Sequence, residues 1–153
     1  SAAGRLASPL AACLQWQSIS LDLAAKDQEQ AISLLLALCA RSGAIGAVEE
    51  IRYKMQALAS LAPERIGQEA ALFAIETPSV FRTVAALGLA PKGVPCACVG
   101  QSRVCAMVLY PPSAAEEVAR VKEALVRALD GSGLDALMAA KTGHEALDIL
   151  VRC

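Results

Sequence analysis

The stretch Ala70-Ala71-Leu72-Phe73-Ala74-Ile75-Glu76-Thr77-Pro78 is a short apolar run that ends on a carboxylate, a hydroxyl and a proline. A run of this length is typical of a buried strand, and its polar triplet then lies just past the carboxyl end of that strand. Ligands and reactive groups collect at this end of open α/β sheets, because strand ends and helix N-termini converge there. We therefore expect the function to depend largely on what these polar residues can do.

Two later segments predict further strands. Residues 80–89 have a β-branched start and small residues, and residues 103–110 (RVCAMVLY) have the strongest strand pattern in the chain, closed by Pro111-Pro112. Pro91-Lys92-Gly93 between them is typical of a turn. Residues 18–23 alternate apolar and polar side chains, which indicates a short strand or an extended lead-in.

Helices are predicted on either side of these strands. Three capping boxes, in which two side chains satisfy the first free N–H groups of a helix, are predicted at Asp27 with Gln30, Ser113 with Glu116, and Thr142 with Glu145. Apolar residues at helical spacing predict two more helices, over about 47–61 and 134–140. Central strands flanked by helices predict an α/β fold: a mixed central sheet of about four to five strands with helices on both faces.

The composition limits the function classes. The 153 residues are enough for one domain with a real core, and that core is aliphatic, since 56% of the residues are hydrophobic but only 3% are aromatic. Fourteen basic and fifteen acidic residues give a net charge of -1, which argues against binding nucleic acid or an anionic membrane. Polar residues such as Ser33 and Arg41 interrupt the most apolar run, so we expect a soluble protein with no membrane insertion.

The six cysteines are interpreted as free thiols. An aliphatic core of this size needs no disulfides, and no signal peptide is recognisable at the start, so a reducing, cytoplasmic setting is expected. Cys96, Cys98 and Cys105 lack the C-x-x-C spacing typical of zinc sites, and neither a metal nor a cofactor is predicted. Residues 1–17, rich in small residues around Pro9, are interpreted as an N-terminal extension or linker, with a short helix as the alternative.

Five short segments, taken in order, resemble one protein family. They are Ile19-Ser20-Leu21-Asp22-Leu23, Gly43-Ala44-Ile45, Val84-Ala85-Ala86-Leu87-Gly88 with Lys92-Gly93-Val94, Val108-Leu109-Tyr110-Pro111, and Glu145-Ala146-Leu147. Their order and spacing resemble the enzyme IIA domain of the bacterial sugar phosphotransferase system, in its fructose, mannitol and nitrogen-regulatory class. The resemblance makes residues 18–153 the IIA-like domain.

The resemblance implies an active site that is degenerate here. In the family, a histidine at the end of a Gly-Val-Ala-Ile-Pro-His pattern accepts a phosphoryl group from HPr and passes it to a IIB partner. Laid on this chain, Glu76 stands at the proline and Thr77 at the histidine, and a second family histidine falls on Val118. Residues 66–69 (IGQE) replace the Ser-Thr-Gly segment that precedes the strand in the family.

These replacements change the chemistry that the site can perform. Imidazole forms a phosphorylated intermediate that can be handed on reversibly, because it is nucleophilic when neutral and a good leaving group when protonated. A phosphothreonine is a poorer donor, Glu76 would repel an incoming phosphate, and Val118 offers neither charge nor hydrogen bond. The resemblance therefore implies no catalytic residue, and a regulatory or interaction module whose partners are phosphotransferase-system proteins or a regulatory target.

Two alternatives stay open. An active phosphocarrier would require Thr77, Ser79 or His144 to accept phosphate, although a histidine in the first turn of a capped helix is expected to be simply solvated. A ligand-binding cleft at the former active site would use Glu76, Thr77 and Ser79. Arg82 and Arg103 would be its cationic contacts.

Overall fold

The computed structural model describes residues 7–58 and 62–152. Within these residues the chain forms one five-stranded mixed sheet in the order β1-β4-β5-β3-β2. The strands are β1 Leu14–Ser20, β2 Glu64–Ile66, β3 Ala70–Glu76, β4 Val84–Cys96 and β5 Gly100–Tyr110. β1 pairs with β4 and β3 with β5 in parallel, whereas the β4–β5 and β2–β3 pairs are antiparallel.

Helices cover both faces of the sheet, which confirms the expected α/β fold. They are α1 Pro9–Cys13, α2 Gln28–Ala40, α3 Val48–Leu58, α4 Ala115–Ala128, α5 Ser132–Met138 and α6 Gly143–Val151, with a 3₁₀ turn at Pro112–Ala114. The core accordingly has two halves, one under α2 and α3 and one under α1, α4, α5 and α6. None of the helices in the described part of the chain combines the length and apolar character needed to cross a membrane.

The sheet differs from the sequence prediction at its edges and in its long hairpin. β1 begins at Leu14, earlier than the alternation over 18–23 predicts, and the preceding Leu10 and Cys13 are buried in the core. The predicted turn at Pro91-Lys92-Gly93 is wrong, since β4 continues through it with an irregular register between Leu89 and Val94. The chain reverses instead at 97–99.

The helix starts test the capping predictions. Asp27 Oδ1 accepts the N–H of Gln30 at 2.9 Å, and Thr142 Oγ1 accepts the N–H of Glu145 at 3.1 Å, so both predicted caps are confirmed. The cap at Ser113 is wrong, because that residue lies in the 3₁₀ turn and α4 starts two residues later without a side-chain cap. The predicted helix over 47–61 is observed as Val48–Leu58, and 59–61 lie outside the described residues.

Candidate functional site

Thr77 lies immediately after β3 and is held in the interior. Its N–H donates to the Tyr110 carbonyl at 2.9 Å, which extends the pairing of β3 with β5 by one bond. Its side chain is only 3% exposed, and Oγ1 accepts the N–H of Ser79 at 3.1 Å. A hydroxyl that accepts the N–H two residues on is a local turn-forming contact. Thr77 therefore shapes the turn and presents no hydroxyl to solvent.

Ser79 is fixed from three directions. Its Oγ donates to the Glu50 carboxylate on α3 at 3.0 Å, and its carbonyl accepts the N–H of Gly46 at 2.7 Å. The next residue, Val80, forms an isolated antiparallel bridge with Ile45. The segment after β3 is thus tied to the segment between α2 and α3, and the only hydroxyl near the surface of this turn is already bonded to a carboxylate.

An exposed rim surrounds this turn. Glu76 directs its carbonyl to Lys54 Nζ at 2.6 Å, while its carboxylate lies on the surface. Tyr53 is 78% exposed and Phe81 is 75% exposed. On α3, Tyr53 and Lys54 follow Glu50 by three and four residues, the spacings that place each of them on the same side of the helix as Glu50. We call Glu50, Tyr53, Lys54, Glu76 and Phe81 the site rim.

Val118 is a core residue of α4. It is 3% exposed and packs in the apolar cluster that also contains Val121 and Leu125. The polar contact nearest in sequence is made by Glu117, whose carboxylate accepts the hydroxyl of the buried Thr83 at 3.0 Å. This pair joins α4 to the start of β4, and neither member is a nucleophile suited to phosphoryl relay.

The two arginines predicted for the cleft have structural partners. Arg82 lies in the segment before β4, where its guanidinium donates to the Ser42 carbonyl at 3.4 Å. Arg103 bonds the carboxylate of Glu69 through two nitrogens, at 2.8 and 2.6 Å. The hydrogen bond from Arg103 holds the pKa of Glu69 below its ordinary value.

Arg103 is also at the wrong end of the sheet for the predicted cleft. β3 and β5 run parallel, with Ala70 opposite Val104 and Glu76 opposite Tyr110. Arg103 therefore lies beside the start of β3, whereas Thr77 follows its end. The structure brings Glu76, Thr77 and Ser79 together at one end of β3. It leaves Arg103 at the opposite end, next to the β2–β3 turn.

His144 lies in the first turn of α6, far along the chain from the turn after β3. Its ring stacks on that of Trp16, with centroids 4.4 Å apart and an interplanar angle of 29°. Both side chains are exposed, and the pair joins α6 to β1 at the surface. The surface position of the histidine agrees with the prediction of a solvated face, whereas its stacking on Trp16 was not predicted.

The thiols lie mostly inside the fold. Cys13, Cys39, Cys96 and Cys105 are buried and Cys98 is exposed on the β4–β5 turn, all as free thiols. A hydrogen bond from Cys105, offset partly by burial, lowers the pKa of Cys96, and the same contact raises the pKa of Cys105. Across the ranges 7–58 and 62–152, no group of three or more potential ligands is placed to hold a metal ion.

The buried thiols predict a loss of stability in alkali. Burial raises the pKa of Cys39 from about 9 to about 12, with a smaller contribution from Cys13. Above pH 9 the unfolded chain loses this proton while the folded chain keeps it, so the unfolded state is favoured as pH rises toward 12. Urea unfolding at about pH 8 and about pH 10.5 should show a smaller decline for Cys39→Ala than for the parent chain. Cys98→Ala, at an exposed thiol, should leave the decline unchanged; an equal decline in all three proteins would contradict the assignment.

Comparison with known proteins identifies the fold. Neither the models of known families nor the curated proteins match this sequence. Among solved structures, the nitrogen regulatory protein IIA-Ntr from Neisseria meningitidis superposes with a TM-score of 0.78 at 18% identity, covering 92% of this chain and 98% of that one. IIA mannitol from Escherichia coli gives a TM-score of 0.70 at 20% identity, covering 89% of this chain and 97% of that one.

A further similar structure includes a partner. It is the complex of mannitol enzyme IIA with phosphorylated mannitol enzyme IIB from Escherichia coli, with a TM-score of 0.65 at 21% identity over 88% of this chain and 94% of the matched chain. The resemblance read from the five short segments is therefore confirmed at the level of the fold. This chain has the fold of the enzyme IIA domains of the phosphotransferase system.

Proposed function

We propose that this protein is a non-catalytic IIA-like module that binds a protein partner and does not carry a phosphoryl group. The observation that carries the proposal is the state of Thr77, which stands at the position of the phosphorylatable histidine. Its side chain is 3% exposed and its Oγ1 accepts the N–H of Ser79. A nucleophile must reach the phosphorus of the donor, and this hydroxyl is covered and engaged in the turn.

The surroundings oppose phosphate as well. Glu50 accepts the Ser79 hydroxyl at 3.0 Å, and Glu76 is an exposed residue directly before Thr77, so the turn carries two negative groups. Lys54 is the cation of the site rim, and its ammonium binds the Glu76 carbonyl. At the position of the second family histidine, Val118 is buried among aliphatic side chains. Electrostatics and packing both favour loss of phosphoryl transfer.

The site rim supports a role in protein binding. Exposed aromatic side chains are enriched in protein interfaces, and Tyr53 on α3 and Phe81 after the turn are both at least three-quarters exposed. The mannitol IIA domain, similar in fold, forms a complex with a phosphorylated IIB protein. We infer that the partner is a phosphotransferase-system protein or a regulatory target in the cytoplasm, bound without transfer of phosphate.

The direct test is a phosphorylation assay. The purified protein is incubated with phosphoenolpyruvate, enzyme I and HPr, and its intact mass is measured under conditions that preserve phosphohistidine. The mannitol IIA domain of Escherichia coli serves as the control for an active relay. We expect no added phosphate on this chain.

A stoichiometric adduct would overturn the proposal and favour an active phosphocarrier. Mapping the adduct would then decide between Ser79, Thr77 and His144. Because Ser79 is the hydroxyl nearest the surface of the turn, Ser79→Ala is the first variant to examine in that case. Loss of the adduct in Ser79→Ala would assign the phosphate to Ser79.

A further inference from the structure

The outer edge of β3 extends past its neighbour. β2 has three residues, and its pairing with β3 ends where Glu64 lies opposite Leu72. β3 itself continues to Glu76, and its other edge is paired with β5 along its whole length. The residues of β3 beyond Leu72 are therefore paired on one side only within the part of the chain that the structure describes.

Hydrogen bonds at both ends of β3 show which main-chain groups point to this edge. The Glu69 carbonyl accepts the N–H groups of Arg103 and Val104, and the Thr77 N–H donates to the Tyr110 carbonyl. The main-chain N–H and C=O groups of the odd-numbered residues of β3 therefore point toward β5. Successive residues of a strand alternate in direction. The N–H and C=O groups of Ala74 and Glu76 consequently point away from β5, past the end of β2.

One of these groups is occupied by a side chain. The Glu76 carbonyl accepts the ammonium of Lys54 at 2.6 Å, which shows that the edge at this point is open to a donor. No bond to the outward groups of Ala74 is found among residues 7–58 and 62–152. A short row of main-chain donors and acceptors at strand spacing is what a further strand pairs with.

A groove of about 400 Å³ lies against this edge. Apolar side chains of β3 line it on both sides of the strand: Phe73 and Ile75 belong to the core half under α2 and α3, and Leu72 and Ala74 to the other half. The rest of the lining includes charged side chains, namely Lys54, Glu64, Glu76 and Lys122. Lys122 in the wall is paired with Glu64 at 3.0 Å. The Lys54 ammonium is bound to the Glu76 carbonyl, and no carboxylate of the described residues lies within ion-pair distance of it.

We propose that this edge accepts an extended segment of a partner protein as an additional strand beside Ala74–Glu76. The segment is rich in β-branched or aliphatic residues, which contact the apolar side chains on both sides of β3, and it carries one acidic residue that pairs with Lys54. Only an extended backbone supplies acceptors and donors at the spacing of Ala74 and Glu76, and only an acidic residue complements Lys54 after its carbonyl partner is displaced. The inference rests on the proposed role in protein binding, and it adds the chemistry of the bound segment.

The first experiment needs no partner. Amide hydrogen exchange followed by nuclear magnetic resonance should show fast exchange at Ala74 and slow exchange at Phe73 and Ile75, which donate toward β5. Slow exchange at Ala74 would overturn the proposal, since this edge would then already be covered, by the chain itself or by a second copy. A phosphate adduct in the mass measurement would overturn the non-catalytic function without altering this exchange pattern, so the two failures are distinguishable.

The second experiment uses a displayed library of random linear peptides as the probe. Selected peptides should be rich in β-branched residues, contain an acidic residue and slow the exchange of the Ala74 amide in the parent protein. Ala74→Pro removes the outward N–H at an edge position where proline is tolerated, and it should weaken binding about tenfold or more, the equivalent of one main-chain hydrogen bond. Because the amide readout uses the parent chain, the test stands even where Ala74→Pro fails to fold.

A matched pair of variants tests the charge. Lys54→Met should weaken peptide binding about fivefold, whereas Lys122→Met, at a lysine already paired with Glu64, should leave it within about twofold. Stronger binding to Lys54→Met would mean that this lysine blocks the edge, and would overturn the proposal. The proposal would also be overturned if the library yielded no binding peptide, or if the selected peptides did not slow the hydrogen exchange of the Ala74 amide.

Discussion

Replacing Val118 by histidine is expected to lower the free energy of unfolding by about 2 to 4 kcal/mol, although the sequence resemblance to enzyme IIA domains predicts a histidine at this position. Val118 is 3% exposed on the inner face of α4, where Val121 and Leu125 pack in the same apolar cluster. The imidazole is larger than the isopropyl group, and its two nitrogens meet aliphatic neighbours. Both the overpacking and the unpaired nitrogens favour the unfolded chain.

The control for this variant lies next to it. Ala119 is exposed on the same helix, so Ala119→His also replaces an aliphatic residue by histidine but does not bury the ring. It should lower the free energy of unfolding only by the difference in helix propensity, about 0.5 kcal/mol. Urea unfolding of the two variants measures the difference. Equal stability of both would show that position 118 is open to solvent, and would remove one support for the non-catalytic function.

The fold was predictable wherever a segment's own residues determine its structure. The first four residues of β3 and most of the second half of β5 are buried on both faces, so they appear in the sequence as continuous apolar runs. The caps of α2 and α6 were correct because Asp27 and Thr142 bond N–H groups three residues away. β2 was missed because its three residues, two of them exposed, give no apolar pattern.

Two local errors have the same physical origin, a competing backbone geometry. Ser113 has the right spacing to Glu116 for a capping box, but Pro112 starts a 3₁₀ turn that delays α4. Pro91 and Gly93 are typical turn residues, yet both lie within β4, where the register is irregular and Gly93 has a φ of 82°. An irregularity within a strand uses the same residue types as a turn, so composition alone does not separate them.

Within the candidate site, only the contacts between residues close in sequence could be predicted. Thr77 and Ser79 are joined by a hydrogen bond across two residues, a distance over which sequence is informative. Glu50 and Lys54 approach from α3 and were not foreseen, since no pattern in α3 indicates which strand end it covers. The placement of Arg103 in the cleft depended on strand direction, and the parallel pairing of β3 with β5 puts it at the opposite end.

Replacing Thr77 by histidine is expected to destabilise the fold by about 1 to 3 kcal/mol and to leave the protein unphosphorylated. The threonine side chain is 3% exposed, and its hydroxyl is the acceptor for the Ser79 N–H. A ring at this position exceeds the space of the threonine and displaces that acceptor, so the turn that joins Ser79 to Gly46 and Glu50 is disturbed. Thr77→Ser, which keeps the hydroxyl and removes one buried methyl group, should cost about 1 kcal/mol.

The two readouts of Thr77→His separate packing from chemistry. Urea unfolding measures the cost of the ring, and intact mass after incubation with phosphoenolpyruvate, enzyme I and HPr measures phosphate uptake. A variant as stable as the parent that takes up stoichiometric phosphate would show that one substitution had disabled an otherwise competent site. A destabilised variant without phosphate is expected instead, because the buried turn, the carboxylates of Glu50 and Glu76, and the aliphatic Val118 all oppose transfer. Restoring the nucleophile alone then leaves three other obstacles in place.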